Sequence, residues 1–169
     1  MFELKDVSIC TPNGERLISR LSFRLRPGQL VCITGDKGCG KTLLARAILG
    51  LWPIESGYIS YDGALLNQRS AAFMRRFTSY VPQSLPDDKV SAVTAIREVA
   101  SLKKNVLIID CPTLANEKEL EEAALLIRQM AERGTAVLLL CEKNHSLLSQ
   151  LSTMQHERNI EHYELSIKH

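Results

Sequence analysis

With 169 residues, 45% of them hydrophobic and 24% charged, the chain is long enough to bury a core without disulfide or metal staples. A net charge of +2 gives no electrostatic footing for nucleic acid or an acidic membrane surface, so neither is expected as a partner. Five cysteines, none in a Cys-x-x-Cys spacing, argue against a disulfide framework or a zinc site and make the cytoplasm the expected compartment. Met1 to Asp6 lacks the cationic segment and apolar core of a signal peptide, and no apolar run approaches the ~20 residues that would insert in a bilayer.

Phe2 to Ile9 and Leu17 to Leu25 read as strands joined through the turn formers Pro12-Asn13-Gly14. In the second, Leu21, Phe23 and Leu25 alternate with Ser22, Arg24 and Arg26, predicting one buried and one wet face. Pro27-Gly28 then turns the chain into Leu30-Val31-Cys32-Ile33-Thr34, an apolar, β-branched run with the character of a buried strand. Leu43 to Leu49 reads as a helix stopped at Gly50, and Tyr58 to Tyr61 as a short strand ended by Asp62-Gly63. Asn67 to Arg76 is a helix candidate leading into the strand Thr78 to Val81; Val90 to Lys104 is another, followed by the strand Asn105 to Asp110. The clearest helix is Glu117 to Arg133. Leu120, Ala123, Ala124, Ile127, Met130 and Ala131 share one stripe, Asn116 and Glu119 have capping-box spacing, and Gly134 supplies the stop. Ala136 to Leu140 is the next buried strand, and His156 to Ile167 a last polar strand or hairpin. Strands alternating with helices predict an α/β fold: a mostly parallel sheet covered by helices, plus an N-terminal antiparallel β hairpin, in one domain over 1–169.

One motif carries chemistry. Gly35-Asp36-Lys37-Gly38-Cys39-Gly40-Lys41-Thr42 fits Gly-x-x-x-x-Gly-Lys-Thr and lies between a predicted strand and a predicted helix, the order a phosphate cradle requires. Glycines let successive backbone N–H groups turn toward one point, and the helix N-terminus adds positive potential there. Lys41 is expected to reach the β- and γ-phosphates and the Thr42 hydroxyl to hold Mg²⁺, making ATP with Mg²⁺ the expected ligand of a P-loop NTPase core.

Further residues carry a family resemblance. Leu21-Ser22-Phe23 through Pro27-Gly28-Gln29, the P-loop, Leu49 to Pro53, Ser56-Gly57 and Asp62-Gly63 resemble the nucleotide-binding domains of ATP-binding cassette (ABC) proteins. Tyr80-Val81-Pro82-Gln83 resembles that family's Q-loop, and Val106 to Asp110 with Pro112-Thr113 its Walker B strand and following turn. The resemblance implies that Asp110 and the Gln83 amide oxygen join Thr42 as metal ligands.

The departures are as informative. Only 26 residues, 84 to 109, separate Gln83 from Asp110. In the family this interval is several times longer and holds a helical subdomain ending in a Leu-Ser-Gly-Gly-Gln signature. Here the subdomain is reduced to about 84–104, and the signature position falls on Pro86-Asp87-Asp88-Lys89-Val90, whose carboxylates repel a polyanion. Cys111 stands where the family has the glutamate that polarises water, Glu142 where it has a switch histidine, and Thr11 where an aromatic stacks on adenine. Losing a positioned general base costs roughly 10² to 10⁴ in rate, and a thiol is a poor substitute. Glu142 is the candidate relocated base.

Cys39, Cys111 and Cys141 are expected around the phosphate pocket as small buried side chains rather than as a metal or redox cluster. His145, His156, His162 and His169 read as solvated, and Arg75-Arg76 as a surface pair. Three functional readings follow, in this order. The first is an ATP-binding module with little intrinsic hydrolysis, acting through nucleotide-dependent shape or partner binding, as a homodimer or with a partner carrying an intact signature. The second is a transport-related ATPase subunit completed by such a partner. The third is a structural module that has lost nucleotide.

Overall fold

The computed structural model describes residues 1–154 and 160–165. The N-terminal half opens with β1 (Phe2–Cys10), β2 (Arg16–Leu25), β3 (Leu30–Gly35), α1 (Lys41–Ile48), β4 (Ser56–Tyr61), β5 (Ala64–Leu65) and α2 (Ala71–Arg75). It is followed by β6 (Thr78–Val81), α3 (Ala92–Ser101), β7 (Val106–Asp110), α4 (Glu117–Glu132), β8 (Ala136–Cys141), α5 (Ser146–Met154) and β9 (Ile160–Leu165). The strands form two sheets: an antiparallel one ordered β2-β1-β4-β5 and a fully parallel one ordered β6-β7-β8-β3-β9.

Period-two burial organises both layers. On the parallel sheet Val31, Ile33, Ile108, Leu138 and Leu140 face α1 and the antiparallel sheet, where Leu4, Phe23, Leu44 and Ile48 complete one core. Their neighbours Cys32, Leu107, Ile109, Val137 and Leu139 face the other way, onto Ile96 of α3, Ala123 and Ile127 of α4, and Leu147 and Leu151 of α5. Strands buried on both faces therefore read as unbroken apolar runs, whereas β1 and β2 alternate. Their alternation is broken by register shifts between Leu4 and Val7 and between Val7 and Ile9, beside Asp6 and Arg20, which hold φ of 49° and 50°.

The predicted hairpin is present: the Gly14 N–H donates to Thr11 O at 2.9 Å, and the Glu15 N–H to Thr11 Oγ1 at 3.1 Å. Boundaries differ where caps intervene. Helix α1 starts at Lys41 rather than Leu43, because Gly40, at φ 103°, acts as its N-cap and its carbonyl accepts the Leu44 N–H. Asn67 Oδ1 accepts from the N–H groups of Arg69 and Ser70, so 67–70 form a turn and α2 is shorter than expected. Ser91 caps α3 by accepting the Thr94 N–H. Asn116 caps α4 as predicted, while Glu119 reaches back to the Ala115 N–H, one residue beyond the usual box partner.

Three expectations need correction or extension. Helix α5 had no sequence-based counterpart, although Leu147 and Leu151, one turn apart, are buried on it. Within the stretch expected to be a strand or hairpin, β9 is a single strand parallel to β3; 156–159 and 166–167 lie outside the described residues. Arg75 is half-buried rather than a surface charge, its guanidinium donating to Leu49 O at 2.7 Å beyond the end of α1.

Gly57 sits where β4 crosses the irregular stretch of β1, at φ 82°, and a Cβ there would stand 2.3 Å from Asp6 O. Positive φ and a backbone collision add, so Gly57→Ala is expected to cost more than about 2 kcal/mol in urea unfolding. A loss under about 0.5 kcal/mol would contradict this account.

Candidate functional site

The carboxyl ends of the parallel strands share one edge, and the candidate residues gather there. A cleft of about 190 Å³ is lined by Lys37, Gly38, Gly40, Lys41 and Thr42 from the loop and first turn of α1, with Leu17, Leu43, Gln83, Cys111 and Glu142. That volume is below the roughly 300–1,000 Å³ of a site enclosing a whole drug-sized ligand. Gly35 and Cys39 are buried and Asp36 is exposed, and none of the three lines the cleft. A Cβ on Gly38 would meet nothing within 4 Å, whereas one on Gly35 would stand 2.4 Å from Cys39 Sγ and 2.9 Å from Leu165 O. The first glycine is thus required by packing and the second by its φ of 85°.

Lys41 is buried at 5% exposure, and its ammonium donates to the carbonyls of Gly35 at 2.6 Å and Asp36 at 2.9 Å, with Cys39 Sγ at 3.6 Å. The Thr42 hydroxyl donates to Asp110 Oδ2 at 2.8 Å. Because the proton of Thr42 is committed to the carboxylate, the lone pairs of its oxygen are free to face a cation. Asp110 is fully buried, and its Oδ1 has no partner among the described residues. An orphaned, buried carboxylate oxygen beside a hydroxyl, with the amide-bearing Gln83 lining the same cleft, is an all-oxygen donor set fitting a hard cation such as Mg²⁺.

Cys111 follows Asp110 with φ 44°, a left-handed conformation costing about 1–3 kcal/mol for a non-glycine residue. Its N–H donates to Leu140 O at 2.7 Å, and its side chain lines the cleft. Burial, followed by the adjacent Asp110 charge, pushes its thiol up to about 12. Cys141 is likewise pushed to about 12 by burial. Among the described residues no three His, Cys, Asp or Glu side chains are grouped to hold a metal, and all five cysteines are free. Glu142 is exposed and lines the cleft.

Sequence reasoning missed two groups that touch the centre. Leu17 closes the cleft beside Gly40, where an added Cβ would approach the Leu17 Cβ to 3.2 Å. Tyr80 donates its hydroxyl to Asp110 Oδ2 at 3.2 Å. Burial, then the Asp110 charge, raises the Tyr80 pKa well above the usual phenol value. The signal for Tyr80 was its position, three residues before Gln83 on a strand beside the one ending in Asp110. Two histidines are not simply solvated. His145 Nε2 bonds Pro112 O at 2.8 Å while its Nδ1 accepts the Leu147 N–H, which assigns the proton to Nε2. His162 Nε2 lies 2.6 Å from Thr34 Oγ1. His156 and His169 lie outside the described residues. Thr11 is held within the hairpin turn, and Pro86 to Lys89 are exposed ahead of α3.

Comparison with known proteins agrees with this geometry: the ABC transporter family model matches residues 18–160. The chain belongs to the ABC transporter family. It is 39% identical over 75 residues to the type I secretion system ATP-binding protein PrsD of Rhizobium meliloti (strain 1021), a match covering 44% of this chain and 13% of that protein. It is 38% identical over 81 residues to ABC transporter D family member 1 of Arabidopsis thaliana, covering 48% of this chain and 6% of that one. This ABC chain therefore matches only a small part of those relatives' length. An ATP-binding subunit of an ABC transporter superposes with TM-score 0.74 at 17% identity, covering 100% of this chain and 88% of that one. The dimeric bacterial ABC transporter cassette MJ0796 gives 0.73 at 16%, covering 100% and 97%. At that identity the likeness is one of fold.

A thiol pushed to about 12 is almost wholly protonated at pH 8. Cys111 is expected to react with iodoacetamide on the order of a thousandfold more slowly than an unperturbed cysteine, read by peptide mass mapping over time. Labelling at an ordinary rate would contradict the half-buried, thiol-form assignment.

Proposed function

We propose that this chain is the nucleotide-binding module of an ABC-type assembly, holding Mg·ATP in the loop–α1 cradle with little hydrolysis of its own. In this reading it works in the cytoplasm, and nucleotide occupancy sets its shape or its partner. The observation that carries the proposal is the pairing of Thr42 with a buried Asp110 whose second oxygen is unsatisfied, directly beside Cys111. The first two are parts of a site that holds a metal–triphosphate; the third is no general base.

Loop N–H groups and the start of α1 bind the phosphates, and the Lys41 ammonium exchanges its carbonyl partners for phosphate oxygens. Thr42, Asp110 and Gln83 would hold Mg²⁺, which would neutralise phosphate charge when bound. The position beside Asp110 supplies no group to take a proton from water. Cys111 keeps its own proton. The exposed Asp87 and Asp88 offer no donors to a polyanion where the family places its signature.

Glu142 favours a second reading. As an exposed carboxylate lining the same cleft, it orients water once a partner carrying a signature closes over the phosphates. Phosphate release that rises on adding such a partner and is lost in Glu142→Gln would support this ATPase-subunit reading. Absence of stimulation by any cassette partner would remove it.

Isothermal titration of Mg·ATP is expected to give saturable binding in the micromolar to millimolar range. Lys41→Ala should weaken it at least tenfold, the low end for a charge-assisted hydrogen bond. No saturable binding by the unaltered protein would end the proposal. Cys111→Glu is expected to raise the slow phosphate release about 100-fold or more. An unchanged rate would show that position 111 does not limit turnover.

A further inference from the structure

The Asp110 carboxylate is held by more than the cradle. Tyr80 on β6 and Thr42 on α1 both donate to the same oxygen, Oδ2, at 3.2 and 2.8 Å, while Oδ1 has no partner among the described residues. Two hydroxyl donors converging on one oxygen from different elements fix the carboxylate plane, which a single donor leaves free to rotate. The delivery is rigid. Tyr80 is half-buried against the core between the sheets, and β6 pairs with β7 in the register Tyr80↔Ile108 and Val81↔Ile109, one step from Asp110. The same strand leads within three residues to Gln83 in the cleft. One strand therefore carries an outer hydroxyl for the carboxylate and leads to a second oxygen donor for the cation.

We propose that Tyr80 is a positioning residue for the divalent cation: its hydroxyl holds Asp110 through Oδ2 so that Oδ1, without a protein donor, is left for the metal. The inference rests on reading the cleft as a Mg·nucleotide site. Outer partners of metal ligands act by fixing orientation, and their loss typically weakens metal affinity 10–100-fold.

The test separates metal from nucleotide. ATP binding to the full chain is titrated against Mg²⁺, and separately in EDTA, for the unaltered protein and Tyr80→Phe, which keeps the ring and removes one oxygen. The Mg²⁺ concentration at half-effect is expected to rise 10–100-fold in Tyr80→Phe, with the metal-free affinity for ATP unchanged within about twofold. Tyr80→Met, a second variant without the hydroxyl, should reproduce the Mg²⁺ shift and supplies the reading if Tyr80→Phe fails to fold. A Mg²⁺ dependence matching the unaltered protein overturns the inference. So does equal weakening with and without Mg²⁺, the signature of a merely structural hydroxyl. If ATP binding to the unaltered protein is indifferent to Mg²⁺, the metal reading of the cleft fails and this inference with it.

Discussion

The hydrogen bond from Thr42 to Asp110 organises the functional edge of the molecule. The two residues belong to the element after β3 and to the end of β7, which are not neighbours: β8 runs between them. The contact exists because all three strands run parallel and stop at the same level. Thr34 is opposite Cys141, and Asp110 is opposite Leu140. Ends at one level in an open α/β sheet make the crevice where such folds bind ligands. Gln83 after β6 and Glu142 after β8 arrive there for the same reason.

That arrangement explains how holding and cleaving groups part company. In the proposed reading the holding groups are main-chain amides, one lysine and oxygen donors fixed by strand register. They survive changes in surrounding loops because the sheet positions them. In the proposed reading a water-polarising group would occupy one position on a strained turn, the position that Cys111 fills here in a left-handed backbone conformation. Its N–H bond to Leu140 O anchors that turn to β8 whatever the side chain. The backbone is thus set independently of the thiol, and the position's chemistry can change while its geometry stays.

Much of this was legible in the residues. The glycine-rich loop, the three interior strands β3, β7 and β8, and α4 declared themselves through glycine spacing, unbroken apolar runs and a helical stripe with its cap, all local signals. Asp110 and Gln83 were found from motif order rather than from physics. Tyr80 and Leu17 were not found as site residues, because both reach the centre through tertiary pairing. Tyr80 acts across the β6–β7 ladder and Leu17 beside Gly40. Helix α5 escaped because its apolar residues among the described side chains, Leu147, Leu148 and Leu151, are too few to make a helical stripe in the sequence. Arg75 and His145 looked like surface residues because the backbone carbonyls they bond, Leu49 and Pro112, leave no trace in sequence.

The position of the Lys41 ammonium has a consequence of its own. Two carbonyls of its own loop already occupy its bonding directions, so an incoming anion meets an internal competitor rather than a bare cation. Each bond it surrenders is exchanged, not created, which thins the net gain on capture even though the gross attraction is large. The same self-ligation lets a positive charge lie at 5% exposure without collapsing its surroundings. The loop keeps its shape by gripping itself, and in the proposed reading that grip is set against whatever the loop gains on loading.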